Sequence, residues 1–223
     1  MKLTVHGMTL SPWVRRLIVF LEEKGLDYER IQVVPLGDPD PEFLKISPLG
    51  KVPVLEIDGR PLPDSLAGCA FVEGEVPEPA LFPSDSWDLG WMHWLCDFLG
   101  TGVFSKVEAP LFIQRFVNPN FRQAEPDPAV IDQALAAKGY HLDYLEAQLA
   151  EKGPFLLGER LTLADITAGS IFINLGHAGE PIEENHWPEL AAYLARLYER
   201  PSFQRVLELD REAVGQISPL FAA

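Results

Sequence analysis

Three short stretches of the chain carry residue types able to grip an anionic, peptide-shaped ligand. The first is Met8-Thr9-Leu10-Ser11-Pro12-Trp13-Val14-Arg15-Arg16, in which Ser11 offers a hydroxyl where a strand hands over to a helix. Unpaired amides and the macrodipole favour negative charge at a helix N-terminus, so a hydroxyl there can hold a thiolate. Serine at that place is also an ordinary N-cap, and the segment alone does not separate the two roles. Thr9, two residues earlier, is a rival hydroxyl.

The second stretch, Ser47-Pro48-Leu49-Gly50-Lys51-Val52-Pro53-Val54-Leu55, is a turn running into a strand that opens with Val-Pro. Proline is tolerated at a strand start, and the Val52 backbone there could pair with an extended peptide as an added strand does. Only about 5% of X–Pro bonds are cis, so this segment by itself reads as trans. The third stretch is Leu62-Pro63-Asp64-Ser65-Leu66-Ala67, an acid and a serine at the start of a helix. It reads as a cap; it also reads as a pair of groups in which Ser65 and the first-turn amides take a carboxylate while Asp64 takes the neighbouring ammonium.

The elements that would position these groups follow from periodicity. Val14, Leu17, Ile18 and Leu21 recur at i, i+3, i+4 and i+7, which makes residues 12–24 an amphipathic helix with Pro12 in its first turn and Gly25 at its stop. Strands are expected at 2–6, 28–34, 53–57 and 60–63, with helices at 41–46 and 65–73. Asp58-Gly59 predicts an antiparallel hairpin between the last two strands. Alternation of this kind makes a small mixed sheet with helices on its faces.

Near residue 75 the pattern changes. Glu73-Gly74-Glu75-Val76-Pro77-Glu78-Pro79 has no periodicity and reads as a linker, and the chain beyond it reads as all helix. Ser86 is the expected cap of a helix through Trp87, Trp91, Trp94, Leu95 and Phe98. Ile131, Leu135, Leu142, Leu145 and Leu149 form a second stripe, and Leu190, Tyr193, Leu194 and Leu197 a third. Thr162-Leu163-Ala164-Asp165 is a capping-box pattern ahead of a helix apolar enough to run through a core. The domain organisation is therefore residues 1–74, a linker at 75–85, and a helical domain at 86–223.

Composition narrows the function classes. A formal net charge of −15 opposes nonspecific nucleic-acid binding and adhesion to anionic lipid. No apolar run reaches the roughly 20 residues of a membrane span, and the first residues lack a secretory signal, so a cytoplasmic protein is expected. Two cysteines, Cys69 and Cys96, support neither a disulfide framework nor a metal site.

The order and spacing of Ser11-Pro12, Gly50-Lys51-Val52-Pro53-Val54-Leu55, Asp64-Ser65 and Leu161-Thr162-Leu163-Ala164-Asp165 together resemble a cytosolic glutathione transferase, over residues 1–210. The resemblance implies an α/β thioredoxin-like N-terminal domain, an all-α C-terminal domain, a cis Val52–Pro53 bond and a homodimer. It implies glutathione as co-substrate and no metal. Ser11 matches the serine that donates to the glutathione sulfur. Val52 and Pro53 match the turn that pairs with the cysteinyl part, Lys51 lies near the glycyl carboxylate, and Asp64 with Ser65 grips the γ-glutamyl end.

The electrophile would sit between the domains, lined by Met8, Leu10 and Trp13 on one side and Phe104, Val107, Leu111 and Phe112 on the other, although each residue taken alone reads first as core or interface packing. Arg15 and Arg16 are expected to bridge to the other domain or to solvent, and not to touch ligand. Asp64 stands where the family usually carries Glu, and Gly68-Cys69 replaces stiffer helix formers. The implied activity is conjugation of glutathione to a small hydrophobic electrophile. A non-catalytic binding protein of the same fold, or a glutathione-dependent isomerase, stays open.

Overall fold

The computed structural model describes residues 1–34, 37 and 40–217. The domain expected at 86–223 thus extends past the described residues. Contacts divide the chain into two compact units, one of Met1–Leu81 with Pro201–Ala213, the other built from Phe82–Arg200.

In the first unit four strands form one sheet in the order β2-β1-β3-β4. β1 (Leu3–His6) lies at its centre with all four residues buried, parallel to β2 (Glu29–Ile31) and antiparallel to β3 (Val54–Ile57). β4 (Arg60–Pro63) pairs with β3 through the Asp58-Gly59 hairpin, both of whose residues take positive φ, as a tight two-residue turn demands. The edge strand β2 is only three residues long and exposed, shorter than the strand expected at 28–34.

Helix α1 (Pro12–Glu23) buries Val14, Leu17, Ile18 and Leu21 completely. Each such side chain contributes about 1.5–3 kcal/mol relative to exposure, so this stripe is the main tie between α1 and the unit's interior. α2 (Pro41–Ile46) is capped by Asp40. α3 (Ser65–Glu75) packs against α1 and β3, and Gly68 allows the approach: a Cβ there would lie 3.1 Å from Leu17 Cδ1 and 3.4 Å from Leu55.

α3 runs two residues further than the expected 73, because Lys24 closes its end. The Lys24 ammonium is inaccessible, donates to the carbonyls of Val76 and Pro79 at 2.7 Å each, and meets Glu73 at 2.7 Å. A cation at a helix C-terminus satisfies carbonyls and opposes the dipole. The segment read as a linker is therefore pinned at its start.

The second unit is helical. α4 (Ser86–Asp97) is capped by Asp85 and not by Ser86: the Asp85 carboxylate accepts from the amides of Trp87 at 2.9 Å and Asp88 at 3.2 Å. Its buried face is Met92, Leu95 and Cys96, whereas Trp87 and Trp94 are exposed, so the tryptophan stripe faces away from the unit's interior. The chain continues as a π-helical run (Phe98–Glu108), one α-helical segment, α5 (Ala109–Phe112), and a second π-helical run (Ile113–Arg122). The wider π turn holds Pro119 inside a helix, and the run ends where Gln123 turns left-handed.

α6 (Pro128–Lys152) buries Leu142, Leu145 and Leu149 as its stripe requires, with Ala134 and Lys138 in place of Ile131 and Leu135. α7 (Leu163–His177) is buried from Leu163 through Leu175 and packs on α4 and on α8 (Pro188–Tyr198). Asp165, wholly buried, accepts from the Thr162 amide at 2.7 Å and hydroxyl at 2.9 Å, the Leu156 amide at 2.8 Å and the Tyr193 hydroxyl at 3.0 Å. Burial pushes its carboxyl above the usual range despite these four donors, which pull the other way.

The last helix, α9 (Pro201–Ile217), departs from the expected division of the chain. Its residues 201–213 cluster with the first unit, where Ser202 donates to Glu23 and Asp210 binds Arg15. Among the described residues no helix is long and apolar enough to cross a membrane.

Candidate active site at the start of the first two long helices

The turn after β1 places Ser11. Gly7 takes φ +152°, and a Cβ there would meet Val14 Cγ2 at 2.5 Å and the Val52 Cβ at 3.2 Å, so only glycine lets the turn lie against both α1 and the Val-Pro segment. The Ser11 amide donates to the Met8 carbonyl at 3.1 Å, and its own carbonyl accepts the first helical bond from Arg15 at 3.1 Å. Ser11 is the N-cap residue with extended backbone (φ −81°, ψ 123°), yet its side chain makes no capping bond. The half-buried hydroxyl thus stands at the positive end of α1 without being spent on the helix.

Thr9 differs in burial. It is buried to 3% exposure, and its carbonyl accepts from the Arg15 guanidinium at 3.0 Å. Arg15, also fully buried, pairs with Asp210 at 2.5 Å.

The Val52–Pro53 bond is cis. Ser47 shapes the turn before it, accepting from the Lys51 amide at 3.1 Å and donating to the Lys51 carbonyl at 2.7 Å. The β3 ladder starts at Val54, and neither the amide nor the carbonyl of Val52 enters it or a turn bond among the described residues. Lys51 is exposed. The Pro53 carbonyl accepts from the Asp64 amide at 3.2 Å, which ties this turn to the start of α3.

Asp64 is exposed and holds φ +80°, rare for a non-glycine residue. Its carboxylate caps α3 through the amides of Leu66 at 2.6 Å and Ala67 at 3.3 Å. Ser65 is wholly buried, and its hydroxyl accepts from Arg16 Nε at 3.0 Å and from a terminal nitrogen of Arg16 at 2.6 Å. The Arg16 guanidinium lies 4.7 Å from the centre of the Trp13 ring. Arg16, buried to 5% exposure, therefore joins the helix that carries Ser11 to the helix that starts at Ser65.

The first unit thus brings Ser11, Val52, Pro53, Asp64 and Ser65 into one connected neighbourhood. A model of the glutathione S-transferase N-terminal domain matches residues 10–75, and a model of the C-terminal domain of the same proteins matches residues 105–201. The chain belongs to the glutathione S-transferase superfamily. It is 27% identical over 220 residues to a probable glutathione S-transferase of Oryza sativa, covering 92% of this chain and 95% of the relative. Glutathione S-transferase 3 of Zea mays is 29% identical over 213 residues, covering 92% and 93%. A solved glutathione S-transferase from Rhodospirillum rubrum superposes with a TM-score of 0.86 at 29% identity, covering 92% and 91%. Members of this superfamily use glutathione as a substrate.

Around the glutathione transferase motifs, the residues expected to line an electrophile pocket separate by burial. Met8 and Leu10 are buried in the first unit and Trp13 is half-buried under Arg16. In the second unit Val107 and Leu111 are wholly buried, which makes them core residues, because their positions on the helical run turn inward. Phe104 and Phe112 stay half-exposed. Phe112 stacks on Phe116 with centroids 4.9 Å apart, and Phe116 lies 5.6 Å from the ring of His177. Sequence reasoning missed Phe116 and His177; their spacing of 61 residues offers no local signal. Arg16, expected to bridge to the other domain or to solvent, instead bonds Ser65 inside the first unit.

Proposed function

We propose that the protein conjugates the thiol of glutathione to a small hydrophobic electrophile, with Ser11 as the group that holds the thiolate. The observation that carries this reading is the Ser11 hydroxyl, half-buried at the N-terminus of α1 and not used as a cap. A free thiol with a pKa near 8.5 is only about 3% ionised at neutral pH. A hydroxyl donor and the helix N-terminus together favour the anion. The thiol proton passes to solvent, and the thiolate sulfur forms a bond to an electrophilic carbon, which either accepts the electron pair or releases a leaving group with it. Ser11 keeps its own proton and forms no covalent bond.

In this reading the Val52 backbone pairs with the cysteinyl peptide of glutathione, Lys51 lies towards the glycyl carboxylate, and Asp64 and Ser65 serve the γ-glutamyl end. Trp13 remains as a contact for the electrophile in the first unit. The protein acts as a homodimer, as is typical of the superfamily.

The test combines retention on immobilised glutathione with a chromogenic assay using a nitroaryl halide. Retention with turnover that falls at least tenfold in Ser11→Ala supports the reading. Retention without turnover replaces it with a binding module, and failure of both removes glutathione as the ligand.

A further inference from the structure

Helix α1 starts at Ser11 and ends at a separate cavity. At 1.5 Å per residue the helix spans roughly 18 Å, so the cavity is no part of the site around Ser11. It lies wholly within the first unit and holds about 390 Å³, the scale of a small-ligand pocket. Gly25, at φ +65°, closes the helix at this end: its amide donates to the Glu22 carbonyl and the Leu26 amide to the Leu21 carbonyl, each at 3.0 Å.

The lining is almost entirely polar and carries both signs of charge. Glu22 and Asp27 come from the end of α1 and the turn after it; Arg30 comes from β2 and Arg205 from α9. The chain has 33 acidic residues against 18 basic ones, so an even balance of signs at one cavity is not what composition alone supplies. Tyr28 lies among the four, and its hydroxyl donates to Glu22 at 2.6 Å. Burial, then that bond and the Glu22 charge, raise the phenol above its ordinary value, so Tyr28 stays protonated and keeps the Glu22 carboxylate in place.

The other charges are not consumed by the fold. Among the described residues the side chains of Asp27 and Arg30 make no hydrogen bond or ion pair. Arg205 meets only Glu208 at 3.0 Å, an exposed pair three residues apart on one helix, which is worth little and is readily exchanged. Carboxylates and a helix C-terminus favour a cation, and two guanidiniums favour a carboxylate. A ligand with one charge would satisfy half of this lining and be repelled by the rest.

We propose that this cavity is a second binding site, for a small zwitterion that carries an ammonium and a carboxylate, a free amino acid or a dipeptide. The ammonium goes to Glu22 and Asp27, and the carboxylate goes to Arg30 and Arg205. The site does not depend on the glutathione reading, and its polar lining does not suit a hydrophobic electrophile.

The test is backbone-amide NMR of the isotope-labelled full chain, titrated with glycylglycine, glycine, acetylglycine, which lacks the ammonium, and glycinamide, which lacks the carboxylate. At least one zwitterion is expected to shift the amides of Gly25, Leu26, Tyr28 and Arg205 saturably, with a Kd of about 1 mM or below. The tighter of glycylglycine and glycine decides between dipeptide and amino acid. Each single-charge probe should bind roughly tenfold more weakly, the loss of one charge-assisted pair. Arg30→Gln should cut the zwitterion's advantage over glycinamide to below about threefold, and Asp27→Asn its advantage over acetylglycine, as in a double-mutant cycle. Both side chains are exposed and bond to nothing in the described chain, so neither substitution threatens folding. A single-charge probe that binds as tightly as the zwitterions overturns the proposal. So do advantages that survive both substitutions, and so does the absence of any saturable shift around this cavity.

Discussion

Arg15 and Asp210 stand 195 residues apart in the chain and form a wholly buried ion pair inside the first unit. The same guanidinium donates to the Thr9 carbonyl, so a residue of the last helix steadies the turn that carries Ser11. Removing one partner of a buried pair leaves an uncompensated charge and typically costs about 3–5 kcal/mol. Asp210→Asn is expected to lose that amount in urea unfolding at neutral pH, and the double variant Arg15→Met with Asp210→Leu to regain most of it. A single variant within 1 kcal/mol of wild type would show that the pair is not what holds α9 to this unit.

Gly7→Ala tests the close approach at the site. The added methyl would lie 2.5 Å from Val14 Cγ2 at a φ that side chains rarely adopt, so something must shift. A loss of about 2 kcal/mol or more is expected in thermal unfolding, with a raised KM for glutathione because Val52 lies on the other side of the clash. An unchanged melting temperature would mean that the turn has slack the packing does not suggest.

Much of the first unit is legible from sequence because its signals are local. The Val14, Leu17, Ile18, Leu21 stripe, the Asp58-Gly59 hairpin and the Asp64 cap each depend on neighbours a few residues away, and each stands where periodicity and turn chemistry put it. Arg15 and Arg16 are illegible by the same rule. Each is buried by a partner that the local pattern cannot see, Asp210 for one and Ser65 for the other. The tryptophans of α4 mislead for a related reason: size and apolarity suggest a core face, whereas Met92, Leu95 and Cys96 fill it. Pattern also leaves Ser11 ambiguous between cap and donor, since both need the same residue at the same place; the structure adds that its side chain makes no capping bond.

Glu180 gives a pH prediction. Burial raises its carboxyl, but the bonds from Arg115 and Lys138 outweigh burial and hold it below its ordinary value. A carboxylate depressed in the folded state adds stability above its unfolded value, near 4.3, and loses that contribution as pH falls through the lower folded one. The stability gap between wild type and Glu180→Gln should therefore be widest at neutral pH and close below about pH 4. A gap that stays constant down to pH 3 would show that the ion pairs contribute nothing.

The central claim is that the Ser11 hydroxyl lowers the pKa of a bound thiol. The direct measurement is the ultraviolet absorbance of the thiolate in the glutathione complex, titrated against pH in wild type, Ser11→Ala and Thr9→Val. A hydrogen bond to a charged group worth about 1.5–3 kcal/mol corresponds to roughly one to two pH units. The midpoint is expected to rise by that much in Ser11→Ala and to stay in place in Thr9→Val. Coincident curves for wild type and Ser11→Ala, or a rise confined to Thr9→Val, would contradict the account.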